Sequence, residues 1–284
     1  MIDDFSSRFV LLFYIMADYF KDKVVVVTGG TDGIGKALVE SLLGMGAKIA
    51  TCGRNHDKLY QLQSENASLP LHTMVCDVSI ENDCRRFIET TLKAFGHIDI
   101  LINNAGISMR ALLKDAEIEV FRKVMDTNFF GSLYCTKYAL PSLIEQKGII
   151  VGVSSIAGYR GLPGRSGYSA SKFALQGWLE AIRVELMLDK VHVMWVCPGF
   201  TASNIRNAAL NKEGKEQGKS PMEEGKLMSA EECAGHILRA IKNKKRTLVL
   251  TSQGKNTVFL NKMFPKLADR LAKRFFFKKG ELVK

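Results

Sequence analysis

Short apolar runs recur along this chain at regular intervals and constrain its fold more than any other feature. Each run is rich in Val and Ile and is too short to form a helix, which predicts strands that are buried on both faces. The runs lie at residues 23–28, 47–52, 71–75, 98–102, 149–153, 191–196 and 247–250. About seven strands are therefore expected.

The segments between these runs have the apolar spacing of helices, most clearly at residues 36–43, 81–95 and 171–188. Strands and helices in alternation require crossover connections, and these produce a mostly parallel sheet with helices on both faces. No linker rich in Pro, Gly or Ser divides the strands into two sets. We therefore predict an α/β fold, a Rossmann-like doubly wound sheet in a single domain over residues 23–254.

Three further segments need separate interpretations. Residues 1–22 form an apolar extension whose apolar run, residues 9–17, is about half of the roughly 20 residues of a membrane span. It lacks the features of a secretory signal, so it either docks on the body or anchors at an interface. Residues 201–229 are polar and longer than most loops, which predicts a substrate lid. Ser229 and Glu232 then form a capping box that starts a new helix.

Glycines crowd the turn that follows the first predicted strand, in Thr28-Gly29-Gly30-Thr31-Asp32-Gly33-Ile34-Gly35-Lys36. Glycine permits a tight turn and lets backbone amides approach a pyrophosphate at the start of the next helix. The position between a buried strand and a helix favours a dinucleotide site over a plain glycine turn. Its predicted contacts are Gly29, Thr31, Asp32, Gly33, Ile34 and Gly35.

The end of the second strand decides the choice of cofactor. An acidic residue there would bind the ribose 2′-hydroxyl of NAD, but this chain has Arg54 followed by Asn55. The planar, always-charged guanidinium suits a 2′-phosphate, so NADP(H) is predicted. Asp32 counts against this prediction because many proteins that use NADP(H) carry a basic residue at that place, and an arginine that merely faces solvent is the alternative.

Tyr168 and Lys172 are four residues apart, so both project from one face if this segment is helical. A cation close to a phenol favours the phenolate and lowers the tyrosine pKa toward working pH, as an acid/base catalyst requires. An ordinary surface pair is the alternative, because this spacing is common.

These motifs together resemble the short-chain dehydrogenase/reductase family, over about residues 23–251. The spacing TG-x-x-x-G-x-G, the Asn103-Asn104-Ala105-Gly106 element and the tyrosine–lysine pair occur in the family's order. The resemblance implies an NADP(H)-dependent oxidoreductase. It adds cofactor contacts at Asp77, Val78, Asn104, Ala105, Gly106, Tyr168, Lys172, Pro198, Gly199 and Thr201.

The resemblance also implies catalytic roles. Ser155 lies at the family's usual distance before Tyr168 and would hydrogen-bond the substrate oxygen, with Ser154 as its rival. Tyr168 would exchange a proton with that oxygen, and Lys172 would hold the ribose. Asn128 matches the asparagine that supports a proton relay, although a helix-bending polar core residue is the alternative. Because all four positions are filled, a non-catalytic NADP(H) sensor or scaffold is the less favoured interpretation.

The expected pocket rim is mostly apolar, which predicts an apolar ketone or secondary alcohol as substrate. Residues 52–55, 104–108 and 165–168 also resemble the NADP-preferring reductase branch that includes steroid and long-chain lipid reductases, which implies a substrate of steroid or lipid type. Arg160 or Arg165 could instead meet a carboxylate or an acyl-carrier group, so a 3-oxoacyl substrate stays open. The expected rim residues are Ile107, Ser108, Met109, Tyr159, Leu162, Pro163, Phe200 and Ile205.

The charge distribution and the cysteine content limit which other functions and locations are expected. Much of the formal charge of +11 lies in the basic tail at residues 255–284, where apolar residues alternate with lysines and arginines. Such a tail packs on its own or a neighbouring subunit, or contacts a membrane surface. Without an aromatic and basic stripe, nucleic-acid binding is not expected. Scattered cysteines and histidines predict no metal site and a reducing, cytoplasmic setting. Membrane contact through the tail would add a location at the membrane periphery. The family resemblance suggests a homodimer or homotetramer, with residues 173–188 in the interface.

Overall fold

The computed structural model describes residues 15–201, 204–218 and 227–283 and has a seven-stranded parallel sheet at its centre. The strand order is β3-β2-β1-β4-β5-β6-β7, and every neighbouring pair is parallel. The strands are β1 (Val24–Thr28), β2 (Lys48–Gly53), β3 (Leu71–Val75), β4 (Ile100–Asn103), β5 (Ile149–Val153), β6 (His192–Cys197) and β7 (Thr247–Val249). The predicted doubly wound α/β fold is confirmed.

Helices connect the strands and continue beyond the last one. They are α1 (Gly33–Gly44), α2 (His56–Glu65), α3 (Glu81–Phe95), α4 (Ile118–Met125), α5 (Gly131–Glu145), α6 (Ser166–Glu185), α7 (Ala230–Lys242), α8 (Ser252–Met263) and α9 (Pro265–Phe276). A π-helical turn, Asp126–Phe130, joins α4 to α5, and a 3-10 turn, Ile156–Gly158, follows β5. A short antiparallel hairpin of β8 (Phe277–Lys278) and β9 (Glu281–Leu282) comes last. Among the described residues, no helix is both long and apolar enough to cross a membrane.

Alternate residues of the central strand β1 supply both faces of the sheet. Val25 and Val27 pack in one apolar cluster with α1 and α7, whereas Val26 packs in another with α3, α5 and α6. A strand that is covered on both faces must be apolar at every position, and all five residues of β1 are buried. The six cysteines are also buried and unpaired.

The N-terminal extension is described from residue 15, and its helical part packs on the body. Met16 and Phe20 join the same cluster as Val25. This part of the extension therefore docks on the body of the protein. The rest of the predicted apolar run lies outside the described residues, and so does the alternative of an interfacial anchor.

The predicted lid is described at residues 204–218 and packs beside the loop after β4. Leu210 donates its N–H to the Ser108 carbonyl and accepts the Arg110 N–H, at 2.9 and 2.8 Å. Residues 202–203 and 219–226 of the predicted lid lie outside the described residues. The predicted restart is confirmed, because Ser229 caps α7 and accepts the Glu232 N–H at 3.0 Å.

Candidate active site

A cavity of about 1100 Å³ opens at the carboxyl ends of the strands, where the strand order reverses between β1 and β4. This is where open α/β sheets bind their ligands. Every residue predicted to contact the cofactor lies on its wall. These are Gly29, Thr31, Asp32, Gly33, Ile34, Gly35, Arg54, Asn55, Asp77, Val78, Asn104, Ala105, Gly106, Tyr168, Lys172, Pro198, Gly199 and Thr201.

The glycine loop leaves no room for side chains. Gly29 has φ +69°, and a Cβ there would lie 3.0 Å from the Ala105 Cα, while a Cβ on Gly35 would collide with the Gly29 carbonyl oxygen. Asn104 fixes the loop from the neighbouring strand, because its Nδ2 donates to the Thr28 carbonyl at 2.9 Å. The result is an open backbone cradle at the start of α1, which fits a pyrophosphate.

Two basic residues lie at the end of β2, where the cofactor ribose would lie. Arg54 is on the cavity wall, and Asn55 caps α2 by accepting the Lys58 N–H at 2.9 Å. The Lys58 ammonium also lines the cavity and lies 2.7 Å from the Asp32 carboxylate. The negative charge of Asp32 is therefore matched locally by a cation that the sequence did not single out.

Asp77 lies on the cavity wall just after β3, the strand next to β2. Its Oδ1 accepts both the Ser79 N–H at 3.0 Å and the Ser79 hydroxyl at 2.7 Å. The carboxylate is thus held in one orientation beside Val78, on the wall where an adenine was expected.

Tyr168 and Lys172 project from one face of α6 into the cavity, and the Lys172 Nζ lies 5.7 Å from the centre of the Tyr168 ring. The expected lowering of the tyrosine pKa by Lys172 is wrong for this structure. Burial raises the pKa of Tyr168, and the Ser155 hydroxyl and the charge of Arg165 oppose that rise. Burial also lowers the pKa of Lys172, to about 8. Its ammonium donates to the Val153 carbonyl at 2.9 Å.

The choice between the two serines after β5 follows from their hydrogen bonds. Ser154 Oγ accepts from the Gln176 side chain at 2.7 Å, and Ser154 is almost fully buried. Ser155 Oγ accepts only the nearby Ala157 N–H, at 3.1 Å, and lies close to the Tyr168 phenol. Ser155 is therefore the serine that can share a ligand with Tyr168.

Asn128 lies behind the cavity wall, fully buried in the π-helical turn. Its Oδ1 accepts the Ile107 N–H at 2.8 Å, and its Nδ2 donates to the Ile107 carbonyl and to Ser171 Oγ, both at 2.9 Å. Ser171 directly precedes Lys172 on α6. Asn128 thus joins the loop after β4 to the helix that carries the tyrosine and the lysine, and π-helical turns often occur at functional sites.

Residues 23–214 match the family model of the short chain dehydrogenases. The chain belongs to the short-chain dehydrogenase/reductase family. It is therefore a member of a family of oxidoreductases, and the resemblance drawn from its motifs is confirmed.

Several relatives and solved structures are similar to this member of the family. It is 36% identical over 82% of its length to a dehydrogenase/reductase SDR family member 7B of Mus musculus, of which 74% is covered. The Bos taurus protein of the same name is 34% identical, with 93% of this chain and 85% of the relative covered.

The structural neighbours are more distant and show the fold alone. One is a crystal structure of a short chain dehydrogenase/reductase from Burkholderia phymatum in complex with NAD, with a TM-score of 0.77, 23% identity and coverage of 87% and 95%. Another is an alcohol dehydrogenase from Thermococcus sibiricus complexed with 5-hydroxy-NADP, with a TM-score of 0.72, 23% identity and coverage of 81% and 96%.

The apolar rim was predicted only in part. The cavity wall includes the expected residues Ile107, Ser108, Leu162, Phe200 and Ile205 but not Met109, Tyr159 or Pro163. Met109 is fully buried against α6, and the Tyr159 hydroxyl accepts the Trp195 indole N–H at 3.0 Å. Both side chains are used in packing and so face away from the ligand space.

Sequence reasoning missed Gln176, which stands one turn beyond Lys172 on the same face of α6. Its Nε2 donates to Ser154 Oγ at 2.7 Å and approaches the Ser155 carbonyl at 3.3 Å. It thereby holds the strand end that carries Ser155. The spacing of residues 168, 172 and 176 was the available signal.

The C-terminal tail supplies a second wall that was also missed. Its residues on the cavity are Thr257, Leu260, Ala268, Leu271, Ala272, Phe275 and Phe276. Arg160 fastens this wall to the loop after β5, donating to Asn261 Oδ1 at 3.0 Å and to the Asp269 carboxylate at 2.7 Å. Asn261 in turn donates to the Tyr159 carbonyl at 2.8 Å. Intramolecular packing, one of the two interpretations of the tail, is what the structure shows for its inner face.

Proposed function

We propose that this chain transfers a hydride between NADP(H) and an apolar ketone or secondary alcohol, with Tyr168 as the acid/base. The observation that carries the proposal is the pair of hydroxyls, Ser155 and Tyr168, that meet on the cavity wall with Lys172 behind them. When bound, the cofactor supplies the hydride. The protein must then orient the substrate oxygen and supply or accept one proton.

Each side chain has a distinct role in this proposal. Ser155 donates a hydrogen bond to the substrate oxygen, and during reduction the Tyr168 hydroxyl passes its proton to that oxygen. The charge of Arg165 stabilises the phenolate that remains. Lys172 holds the ribose, and Asn128 and Gln176 keep the flanking segments in place.

The preference for the 2′-phosphate rests on charge at the end of β2. Arg54 and Lys58 both line the cavity there, and Lys58 offsets the charge of Asp32. A dianionic phosphate is favoured by such a cluster, whereas a ribose hydroxyl gains little from it.

Replacing Tyr168 by phenylalanine tests the reaction. We expect Tyr168→Phe to lose at least about a hundredfold in kcat, as general acid–base catalysis typically contributes, while NADPH binding measured by its fluorescence persists. Tyr159→Phe is the matched control, because the Tyr159 hydroxyl faces Trp195 and not the cavity. Full turnover in Tyr168→Phe would remove the mechanism.

A homo-oligomer is proposed through the outer side of α6. Phe173 and Val184 are about half or more exposed there, at 48% and 64%. A larger apolar patch on a soluble protein usually marks a contact. Light scattering of the purified chain and of Phe173→Glu measures the assembly, and a monomeric parent would refute it.

A further inference from the structure

Arg165 brings a full positive charge to the wall of the proposed substrate cavity, three residues before Tyr168. Within the described part of the chain its guanidinium makes no ion pair and no side-chain hydrogen bond. Burial lowers the pKa of Arg165, and the charges of Arg206 and Arg110 lower it further. A largely buried charge without a partner is costly, and it is retained where a ligand completes it.

Two further arginines, Arg206 and Arg110, lie close enough to Arg165 to act on its charge. Arg206, on the lid, is buried and lines the same cavity. The Nε of Arg110 is buried without a hydrogen-bond partner. Glu216 also lies on the wall but does not pair with Arg165. Arg165 thus adds a positive charge to a stretch of the wall that also includes the apolar side chains of Leu162 and Ile205.

We propose that the substrate is an amphiphile, with an apolar chain and an anionic group, carboxylate or phosphate, that Arg165 binds close to the reacting carbonyl. The proposal rests on the proposed function and narrows its substrate class. A guanidinium presents two parallel N–H donors that match either oxyanion. The apolar chain then lies against the tail, where Leu260, Leu271 and Phe275 form the wall.

Binding measured without turnover tests this proposal independently of the chemistry. Titration calorimetry with the full chain in saturating NADP⁺ compares an alkyl carboxylate, an alkyl phosphate and the alcohol of the same chain length. We expect either anion to bind roughly ten- to a hundredfold more tightly than the alcohol, as a charge-assisted hydrogen bond provides. The two anion arms distinguish carboxylate from phosphate.

Arg165→Gln is expected to abolish that ratio, so that anion and alcohol bind equally. Arg122→Gln, which removes an exposed charge from α4, is the matched control and keeps the ratio. A parent protein that binds the alcohol as tightly as both anions would overturn the proposal, and so would Arg165→Gln with an unchanged ratio. Anion binding that persists in Tyr168→Phe separates this result from a failure of the proposed reaction.

The outer face of the tail carries a second, independent observation. On α8, Phe259 and Met263 are more than half exposed, and on α9 Leu267 and Leu271 are nearly so. The residues of each pair are four apart and therefore share a helix face. Each of these four residues keeps between 44% and 61% of its surface exposed in the described part of the chain.

Basic residues flank this apolar face on both helices. Exposed lysines and arginines of the described tail are Lys255, Lys262, Lys266, Arg270, Lys273, Arg274, Lys278 and Lys279. The acidic residues of the tail are Asp269 and Glu281, and Asp269 already pairs with Arg160. An apolar stripe bordered by lysines and arginines is the pattern of a helix that lies in a lipid interface.

We propose that this face docks on an anionic lipid surface. Charge complementarity selects anionic lipid over a second copy, because two copies of so basic a face would repel each other. Leu271 lies both on the exposed stripe and on the cavity wall, so docking brings the lipid surface next to the cavity.

Vesicle sedimentation of the full chain, without cofactor or substrate, tests the docking. We expect sedimentation with phosphatidylcholine vesicles that contain phosphatidylserine, little with phosphatidylcholine alone, and release by salt. Phe259→Glu/Leu267→Glu is expected to weaken binding about tenfold or more. Leu113→Glu/Ile118→Glu, at two exposed sites outside the tail and outside the expected oligomer interface, is the matched control and keeps binding.

Two results would overturn the docking proposal. One is equal sedimentation with neutral and anionic vesicles, or with none. The other is light scattering that shows a dimer which the tail variant dissociates, because the face would then be a contact between copies. Neither result depends on turnover, so neither result tests the proposed reaction.

Discussion

Replacing Lys172 by methionine is expected to stabilise the cofactor-free protein near neutral pH, although it removes a proposed active-site residue. Burial lowers the pKa of Lys172 from 10.5 to about 8, so holding its charge in the folded state costs roughly 3 kcal/mol. Methionine has a similar length and carries no charge. It leaves the Val153 carbonyl without its donor, a loss of about 1 kcal/mol. The net gain is therefore about 2 kcal/mol.

The pH dependence gives this prediction its sign. Below about pH 8 the lysine is protonated in both the folded and the unfolded chain, so the full cost of burial is present. Between about 8 and 10.5 the unfolded chain still holds the proton while the folded protein has released it, and stability rises with pH. Above that range the lysine is neutral in both states. The advantage of Lys172→Met is therefore largest near neutral pH and declines through that window.

Urea unfolding of both proteins at several pH values measures the difference in free energy. Other titrating groups affect parent and variant alike, so the difference isolates Lys172. Lys137→Met, which removes an exposed lysine from α5, is the control and is expected to show no such pH dependence. A Lys172→Met protein that is less stable near neutral pH, or a difference that is constant with pH, would refute the reasoning.

Three further outcomes test other parts of the structure. Arg54→Ala is expected to raise the KM for NADPH about tenfold or more while changing that for NADH little, because a bidentate charged contact contributes about 1.5–3 kcal/mol; an equal change in both KM values would contradict the role. Gly35→Ala, whose Cβ would collide with the Gly29 carbonyl, is expected to lose measurable NADPH binding in fluorescence titration, and retained affinity would contradict the cradle. Asn261→Ala removes the acceptor of Arg160 and is expected to lower the free energy of unfolding by about 1–2 kcal/mol in urea and to speed proteolysis of the tail, whereas an unchanged cleavage rate would show that this contact does not hold it.

The sheet could be predicted because the signal for each strand lies within a few consecutive residues. Each strand is a continuous apolar run, and the glycines after β1 and the Tyr168–Lys172 spacing can be recognised within a few residues. Strand ends shifted slightly, as in β4, which begins at Ile100 and not at residue 98. Hydrogen bonds to the neighbouring strands determine where each strand begins and ends. The apolar residues of one run do not encode these hydrogen bonds.

What could not be predicted depends on contacts between distant residues. Lys58 meets Asp32 across 26 positions because β1 and β2 are neighbours. Gln176 donates to Ser154, 22 positions away in the sequence, because α6 packs against β5. The amphipathic pattern of the tail predicted that one face of its helices would be buried. It did not predict that this face would line the cavity. An apolar helix face indicates that the face is buried, but it does not identify the residues that pack against it.

The wall that the tail gives to the cavity has a consequence for how this scaffold can diversify. The described tail adds no strand to the seven-stranded sheet, since β8 and β9 pair only with each other. The residues proposed to hold the cofactor and the tail residues proposed to enclose the distal end of the ligand thus occupy separate stretches of one chain. Exchanging residues 255–284 between homologues is therefore a route to chimeras with altered ligand selectivity and an intact nucleotide site.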